Sequence, residues 1–218
     1  MSHFSSYLAC REELKSILNI IEYIESISPD ENTLNTINKG NAIILGSIFE
    51  SFNENIIQEY IDELIIKFNN GLIKFDGLST EIQKYISKKI VMQHHKKEFS
   101  VIHPDEVFKM INKFMIHIGQ NNQNSFIINN ELDEINKFNF GKHGETELKK
   151  LFKRIGFDSL EISFNILNDF FLIRNSIVHT ENINGSITTN SITSSELKKY
   201  IKYFKMYARY INNILSNT

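Results

Sequence analysis

The chain has 218 residues, and its 24 lysines and arginines against 26 aspartates and glutamates give a formal net charge of −2. This balance excludes a uniformly basic nucleic-acid binder. With 41% hydrophobic and 23% charged residues, the composition is typical of a globular protein and not of a disordered chain. We expect a single domain over residues 1–218.

The sequence contains neither a disulfide pair nor an evident membrane segment. Cys10 is the one cysteine, so no internal disulfide can form. The first residues lack the basic flank and apolar run of a signal peptide. Apolar runs are short, as at Ala42–Leu45, whereas a membrane-spanning helix needs roughly 18 apolar residues. We therefore expect a cytoplasmic protein without a membrane anchor.

Apolar residues recur at intervals of three and four, which is the helical period, so the sequence predicts an all-α protein. A first helix is predicted over residues 6–27, and Pro29 ends it because proline cannot donate to the preceding turn. A longer central helix is predicted from Ile37 to Phe68, with a left-handed stop at Gly71. The inner face of this helix is predicted to begin with Ile37, Ile44, Leu45, Ile48, Phe49 and Phe52.

Two more helices and a loop are predicted in the middle of the chain. One helix begins at Ser79 or Thr80 and continues to a basic end at residues 94–97. Another begins at Pro104 and ends at Gly119. The asparagine-rich stretch 120–130 has no period and is predicted to be a surface loop.

A short basic helix is predicted over residues 145–155, ended by Gly156. The next helix is predicted to begin at Asp158 or Ser159 and to continue to about Thr180. The apolar residues that define it are Leu160, Phe164, Leu167, Phe171 and Val178.

A polar loop over residues 185–193 is predicted before the final helix. Thr193 and Glu196 have the spacing of a capping box, in which each side chain accepts from the other residue's backbone. The inward residues of the final helix are predicted to be Leu197, Tyr200, Ile201, Phe204, Ala208, Ile211 and Leu215.

The most distinctive polar residues lie at the end of the helix that leads to Thr180. There, Arg174-Asn175-Ser176-Ile177-Val178-His179 follows an apolar run. An imidazole, with a pKa of roughly 6.5, can exchange protons near neutrality, and a guanidinium offers a planar fork to a phosphate. RNA supplies its own nucleophile, the 2′-hydroxyl. The pair therefore suits cleavage of an RNA phosphodiester bond.

Ideal helix geometry does not place these two side chains on one face. Five residues separate Arg174 from His179 by roughly 140° and about 7.5 Å. A helix end or kink, a curled arginine side chain, or a second chain across a two-fold axis would bring them together. We favour a symmetric homodimer in which the two copies line a cleft.

The Arg-Asn-x₃-His string resembles the signature of the HEPN superfamily, and two other segments resemble its RiboL-PSP-HEPN branch. Residues 41–52 are similar to the long helix of that branch with its embedded Phe-Glu. Residues 138–144, followed by 148–157, are similar to its glycine-bearing lead-in to the motif helix. The resemblance covers roughly residues 41–180, and the flanking helices at 1–30 and 194–218 go beyond it.

The resemblance implies a HEPN-type antiparallel helical bundle with additional helices, acting as a metal-independent endoribonuclease without a cofactor. It implies that Arg174 binds the phosphate, that His179 transfers protons, and that Asn175 is the polar residue after the arginine. Glu50 is a less specific supporting residue. Family members act as toxins or phage-defence effectors, so the implied partners are an RNA substrate, a second copy of the chain, and a cognate antitoxin or larger defence complex.

The same residues also have structural interpretations. Arg174 can form an interhelical salt bridge with Glu50 or Glu161, and His179 can stabilise a helix end by its charge. The neighbouring histidines 94 and 95 resemble a pair of metal ligands, but adjacent helical residues point about 100° apart. We expect no metal site there.

Two basic segments are weaker candidates for RNA contact. The first precedes the motif helix and contains Lys142, His143, Lys149, Lys150, Lys153 and Arg154. The second is the final helix, where lysines alternate with tyrosines that can stack on bases: Tyr200, Tyr203, Tyr207 and Tyr210. For the final helix, an ordinary solvated face is the favoured interpretation.

Two hypotheses follow from the sequence. The first is an endoribonuclease of a toxin–antitoxin or phage-defence system. The second is a non-catalytic HEPN module that serves dimerisation or RNA binding in such a complex. Growth arrest on expression in bacteria, relieved by His179→Ala, favours the first, and harmless expression favours the second.

Overall fold

The computed structural model describes residues 4–84, 140–178, 182–183, 186–187 and 191–217. For residue 69, residues 140–143 and the strand residues, the backbone alone is described. These ranges are mostly helical, so the predicted all-α class is confirmed. The predicted helix end at 94–97, the helix over 104–119 and the loop over 120–130 lie outside the described residues.

Five helices account for most of the described chain. They are α1 (Ser5–Ser26), α2 (Glu31–Asn69), α3 (Phe140–Arg154), α4 (Asn165–Val178) and α5 (Ser194–Ser216). Residues 80–84 are also helical. None of the helices in the described ranges has a stretch long and apolar enough to cross a membrane.

A small hairpin lies between α4 and α5, where only a loop was predicted from residue 185 onward. Strand β1 (Asn182–Ile183) pairs with β2 (Ser186–Ile187) in antiparallel register. Each strand has two residues, which is too short to produce an alternating pattern in the sequence.

Three predicted helix ends that depend on residues at the end itself agree with the structure. Gly71 and Gly156 adopt φ angles of 75° and 99°, the left-handed conformation that ends a helix. At α5, the Glu196 N–H donates to Thr193 Oγ1 over 3.2 Å, and the Thr193 N–H donates to Glu196 Oε2 over 2.8 Å. The capping box is thus confirmed.

The start of α2 is earlier than predicted, because the helical residues before Ile37 are polar except for Leu34 and show no apolar period. Asp30 caps this helix: its Oδ1 accepts from the Thr33 N–H over 3.0 Å and its Oδ2 accepts from the Thr33 hydroxyl over 2.6 Å. These hydrogen bonds lower the pKa of the Asp30 carboxyl.

The prediction that α4 begins at Asp158 or Ser159 is wrong, since the helix begins at Asn165. The backbone just before Asn165 forms hydrogen bonds with tyrosine side chains of α5 and not the bonds of a helix. The Glu161 N–H donates to the Tyr210 hydroxyl oxygen over 2.8 Å, and the Tyr203 hydroxyl donates to the Ser163 carbonyl over 2.7 Å. Helical spacing alone could not reveal these tertiary contacts.

The contacts divide the chain into two compact units. The first comprises Met1–Glu59, Phe138–Lys149 and Leu160–Thr218, and the second comprises Tyr60–Lys137 and Lys150–Ser159. In the second unit, Phe157 packs edge-on against Tyr60 and Phe152, at centroid distances of 6.1 and 6.5 Å. The expectation of a single domain over 1–218 stays a prediction.

An aromatic cluster forms the centre of the first unit. Phe49 of α2 lies 4.4 Å from Phe204 and 4.9 Å from Tyr207 of α5, between ring centroids. Phe170 of α4 lies 5.0 Å from the same Phe204 ring. Three helices are therefore joined through their aromatic side chains. Ile44, predicted on the inner face of α2, is instead 52% exposed.

The predicted inward residues of α5 are all buried, but two further tyrosines join them. Tyr203 and Tyr207 are buried in addition to Tyr200. The suggestion that these three rings stack on bases is therefore wrong for this structure. The aromatic residues on α5 belong mainly to the core.

A buried polar pair lies beside the aromatic cluster. The Tyr207 hydroxyl donates to Asn53 Oδ1 over 2.6 Å, and Asn53 Nδ2 donates to the Phe49 carbonyl over 2.7 Å. Burial raises the pKa of Tyr207 well above its ordinary value, so the phenol keeps its proton and remains a donor.

The N-terminal end of α1 is capped by a side chain from α2. The Glu59 carboxylate accepts from the Ser6 N–H over 3.1 Å and from the hydroxyls of Ser5 and Ser6. A negative charge at this end is favourable because the first helical N–H groups have no partner within the helix. Cys10 lies one turn further along α1, where burial raises the pKa of its thiol to about 12.

We predict that Tyr207→Phe destabilises the protein by about 1–3 kcal/mol, because Asn53 Oδ1 would lose its donor inside the core. Urea unfolding followed by circular dichroism measures this change. Tyr23→Phe is the matched control, since Tyr23 is 65% exposed, and should change stability by less than about 0.5 kcal/mol. Equal stability of the two variants would contradict the assigned role of the Tyr207 hydroxyl.

Candidate functional site

Arg174 lies in the last described turns of α4, and its side chain packs against α2. The anchor of this part of α4 is Phe170, which is fully buried and packs edge-on against Tyr200 at 5.1 Å and Phe204 at 5.0 Å. Arg174 follows one helical turn later, on the same side of the helix as Phe170. The aromatic core thus determines where the arginine lies.

Arg174 is mostly buried and only partly paired. Its Nη1 donates to Asn175 Oδ1 over 3.2 Å, and its Nη2 lies 3.7 Å from Glu50 Oε1. Its Nε is buried and has no hydrogen-bond partner among the described residues. The side chain is 17% exposed and that of Glu50 29%. Of the two salt-bridge partners that the sequence offered for Arg174, Glu50 and Glu161, the structure has Glu50, at a distance that exceeds the usual range for a hydrogen bond.

Gly46 is the residue at this site that the sequence interpretation missed. A Cβ atom at Gly46 would lie 3.4 Å from Arg174 Nε, 3.6 Å from Arg174 Cγ and 3.7 Å from a ring carbon of Phe170. The arginine therefore lies directly over the bare backbone of α2. A glycine within an apolar helix often indicates close packing, and this was the available signal.

The acidic residues beside the arginine are affected by their burial. Burial raises the pKa of the Glu50 carboxyl, the Arg174 guanidinium opposes this rise, and the nearby Glu54 carboxylate adds to it. Burial also raises the pKa of Glu54, which follows one helical turn later. The net rise at Glu50 means that loss of hydration outweighs its attraction to Arg174.

Part of the predicted site lies outside the described residues. His179 follows the last described residue of α4, and the side chains of Lys142 and His143 are not described. The geometry between Arg174 and His179 therefore stays a prediction. The described residues that come together at the site are Arg174, Asn175 and Glu50.

The basic residues of α3 have different surroundings. Lys149 forms a 2.5 Å ion pair with Glu145, and its Nζ lies 5.4 Å from the centroid of the Phe164 ring. Glu145 also accepts from Asn168 Nδ2 of α4 over 2.9 Å. Lys149 therefore helps to join α3 to α4, which is a structural role. Lys150 and Lys153 are exposed and Arg154 is half-buried.

Two apolar side chains are exposed on α4 close to the arginine. Leu172 is 71% exposed, and Val178, one of the apolar residues from which this helix was predicted, is 43% exposed. In contrast, Phe170 and Phe171 are buried. The two exposed side chains do not share a face: at 100° per residue, Leu172 lies roughly 160° around the helix from Arg174, and Val178 lies roughly 40° from it.

Comparison with known proteins gives one result. The family model described as RiboL-PSP-HEPN matches residues 8–217. The match includes most of α1 and all of α5, so the family also covers the two flanking helices that the sequence interpretation placed beyond the resemblance. No curated protein and no solved structure matches the chain.

We predict that Glu50→Gln makes the protein more stable at about pH 7 and has a much smaller effect at about pH 4. Because folding raises the pKa of Glu50, this carboxyl contributes most stability when protonated, and the contribution is lost as pH rises through the raised pKa. Glutamine has nearly the same shape and stays neutral. Thermal unfolding at the two pH values measures the difference.

Glu12→Gln provides the control, since Glu12 lies on the exposed face of α1. A lower melting temperature for Glu50→Gln at neutral pH would contradict the prediction. It would show that the ion pair with Arg174 outweighs the loss of hydration.

Proposed function

The chain belongs to the RiboL-PSP-HEPN family, and from this we propose that it is a metal-independent endoribonuclease that acts as a homodimer. The observation that supports the proposal most directly is the state of Arg174. This arginine is largely shielded from water, makes one short side-chain hydrogen bond among the described residues, and is held at 3.7 Å by its acidic neighbour. We infer that an anion would bind the Nη donors that Asn175 does not take, because Nε is buried.

Arg174 is proposed to bind the scissile phosphate and to stabilise the charge that develops there. A guanidinium presents donors in a fixed plane that matches two phosphate oxygens. Partial burial strengthens this interaction, because the surrounding dielectric is lower than that of water. Asn175 supports the role because its Oδ1 accepts from Nη1 and thereby orients the guanidinium plane.

His179 is proposed to transfer protons in the same reaction. The imidazole takes the proton of the 2′-hydroxyl, the 2′-oxygen attacks phosphorus, and the bond to the 5′-oxygen breaks. A protonated imidazole gives a proton to the leaving 5′-oxygen. The products are a 2′,3′-cyclic phosphate and a 5′-hydroxyl, so the reaction needs no external nucleophile.

Glu50 is proposed to be a supporting residue that keeps Arg174 in place without saturating it. A hydrogen-bonded carboxylate would compete with the phosphate for the guanidinium. At 3.7 Å, the Glu50 carboxylate attracts Arg174 Nη2 without forming a hydrogen bond with it.

We further propose that two copies of the chain meet through the exposed side of α4. Leu172 and Val178 are apolar and exposed, one before and one after Arg174 in the sequence of α4, and their burial would contribute to association. A dimer formed here would place two copies of the motif close together. The exposed residues Lys150 and Lys153, with Arg154, are weaker candidates for contacts with the RNA backbone.

The biological role that we propose is that of a toxin or phage-defence effector, restrained by a cognate antitoxin or a larger complex. Expression in bacteria tests this role. Growth arrest that His179→Ala relieves would support it. Harmless expression of a chain that still binds RNA would favour the non-catalytic module instead.

We predict that the purified chain cleaves RNA in the presence of EDTA and leaves a 2′,3′-cyclic phosphate. Arg174→Ala should reduce cleavage about 100-fold, because charge stabilisation is lost. His179→Ala should reduce it by about 10²–10⁴-fold, because proton transfer is lost. Gel analysis of an end-labelled oligonucleotide and mass spectrometry of its products measure both.

Arg209→Ala is the matched control, because Arg209 is exposed on α5. It should cleave like the unaltered chain. An oligonucleotide with 2′-deoxyribose at the cleaved position should remain intact. Full activity of folded Arg174→Ala or His179→Ala protein would refute the proposed mechanism.

We predict that Leu172→Glu weakens dimerisation about tenfold or more, because it places a charge in the proposed interface. Analytical ultracentrifugation measures the dissociation constant, and cleavage should fall in parallel. Leu8→Glu is the control, since Leu8 is 45% exposed on α1. A dimer that withstands Leu172→Glu would exclude this face as the interface.

A further inference from the structure

We propose that Gly46 is a positioning residue for Arg174: the absence of a side chain at this position of α2 sets where the guanidinium meets the phosphate. The inference rests on the proposed function, because it assigns a purpose to the location of Arg174. It concerns a residue that touches neither the RNA nor the reacting atoms. Gly46 acts only through the arginine that lies over it.

Contacts along the arginine side chain indicate that packing sets its position. The site of a Gly46 Cβ is 3.4 Å from Arg174 Nε and 3.6 Å from its Cγ, so both the aliphatic stem and the guanidinium lie against α2. A Cβ there would also lie 3.7 Å from a ring carbon of Phe170. Position 46 therefore borders the arginine and its aromatic anchor together.

Polar contacts constrain the arginine much less. Its Nε is buried without a hydrogen-bond partner among the described residues. The Glu50 carboxylate is 3.7 Å away, and the single short hydrogen bond joins Arg174 to Asn175 on the same helix. No short hydrogen bond in the described part of the chain ties the guanidinium to α2. The steric contact with Gly46 is what limits how closely it approaches that helix.

Gly40 shows that a glycine in α2 does not require this explanation everywhere. A Cβ at Gly40 would have nothing within 4 Å, although the residue lies in the same helix. Substitutions at the two glycines change helix propensity alike, but only those at position 46 disturb Arg174. Gly40 is therefore the matched control for every variant of Gly46.

The size of the residue at position 46 should determine the effect. Gly46→Ala places its Cβ 3.4 Å from Arg174 Nε, which is the short end of an ordinary van der Waals contact. Cleavage should therefore change by less than about twofold. The higher helix propensity of alanine should raise the melting temperature. Gly46→Leu fills the space that Arg174 occupies. It should lower kcat/KM about 100-fold, as expected for a misplaced catalytic group.

The first measurement reports the position of the arginine without using activity. The chain has four arginines, so the Nε–H signal of Arg174 can be identified in a ¹H–¹⁵N spectrum by its loss in Arg174→Lys. In the unaltered chain and in Gly40→Leu, this buried proton should exchange slowly with water. In Gly46→Leu, its exchange should be at least about tenfold faster, because the side chain is displaced into solvent.

The second measurement is a double-mutant cycle on cleavage. If Gly46 acts through Arg174, then Gly46→Leu should have almost no further effect in an Arg174→Ala background. A loss of the same size in both backgrounds would show general damage to the fold and would overturn the inference. Gly46→Val, with fewer added atoms, takes the place of Gly46→Leu if the latter does not fold.

The results separate this inference from the proposed function. An unchanged Arg174 Nε–H signal in Gly46→Leu contradicts the inference, whether or not the chain cleaves RNA. A displaced arginine together with unchanged cleavage also overturns it. Absence of cleavage by the unaltered chain contradicts the proposed function, whereas the exchange of the Nε proton still decides whether Gly46 sets the position of Arg174.

Discussion

The packing of aromatic rings between α2, α4 and α5 is the constraint on which the candidate site depends. Each of the three helices contributes one ring: Phe49, Phe170 and Phe204. The centroid of Phe204 lies 4.4 Å from that of Phe49 and 5.0 Å from that of Phe170. Burial of such rings is among the strongest contributions to a helical core. Because Phe170 is one turn before Arg174, this packing also sets the height of the arginine above α2.

This arrangement explains how an arginine can be placed without strong polar contacts. A guanidinium held by several short hydrogen bonds would have to exchange them for those to a ligand. Arg174 is instead supported by the core beneath it, and its loose association with Glu50 leaves binding capacity unused. Preorganisation by packing is well suited to the phosphate-binding role that we propose for this arginine.

The tyrosines of α5 contribute to the fold in a second way, through their hydroxyl groups. Tyr203 and Tyr210 hydrogen-bond to the backbone that precedes α4, and Tyr207 bonds to Asn53 of α2. Each ring extends from α5 to a neighbouring segment and forms a polar contact there. The last helix thereby determines where α4 begins as well as how deeply it is buried.

The features that the sequence predicted correctly are those decided by neighbouring residues. The capping box at Thr193, the helix stops at Gly71 and Gly156 and the period of α5 all depend on local chemistry. The charge pattern also offered Glu50 or Glu161 as the partner of Arg174, but it could not decide between them. Ile44 was placed inside incorrectly, because helical spacing groups apolar residues without showing which face another helix covers. The contact with Gly46 depends on the separation of two helices, which no local pattern encodes.

The burial of Cys10 makes this thiol a natural reporter on the first helix. With a pKa of about 12, it is almost entirely protonated at neutral pH and therefore unreactive toward alkylating agents while α1 is packed. Reaction requires the helix to leave its neighbours. Because the chain has no other cysteine, the rate of thiol labelling reads out how often that helix detaches, with no need for an introduced probe.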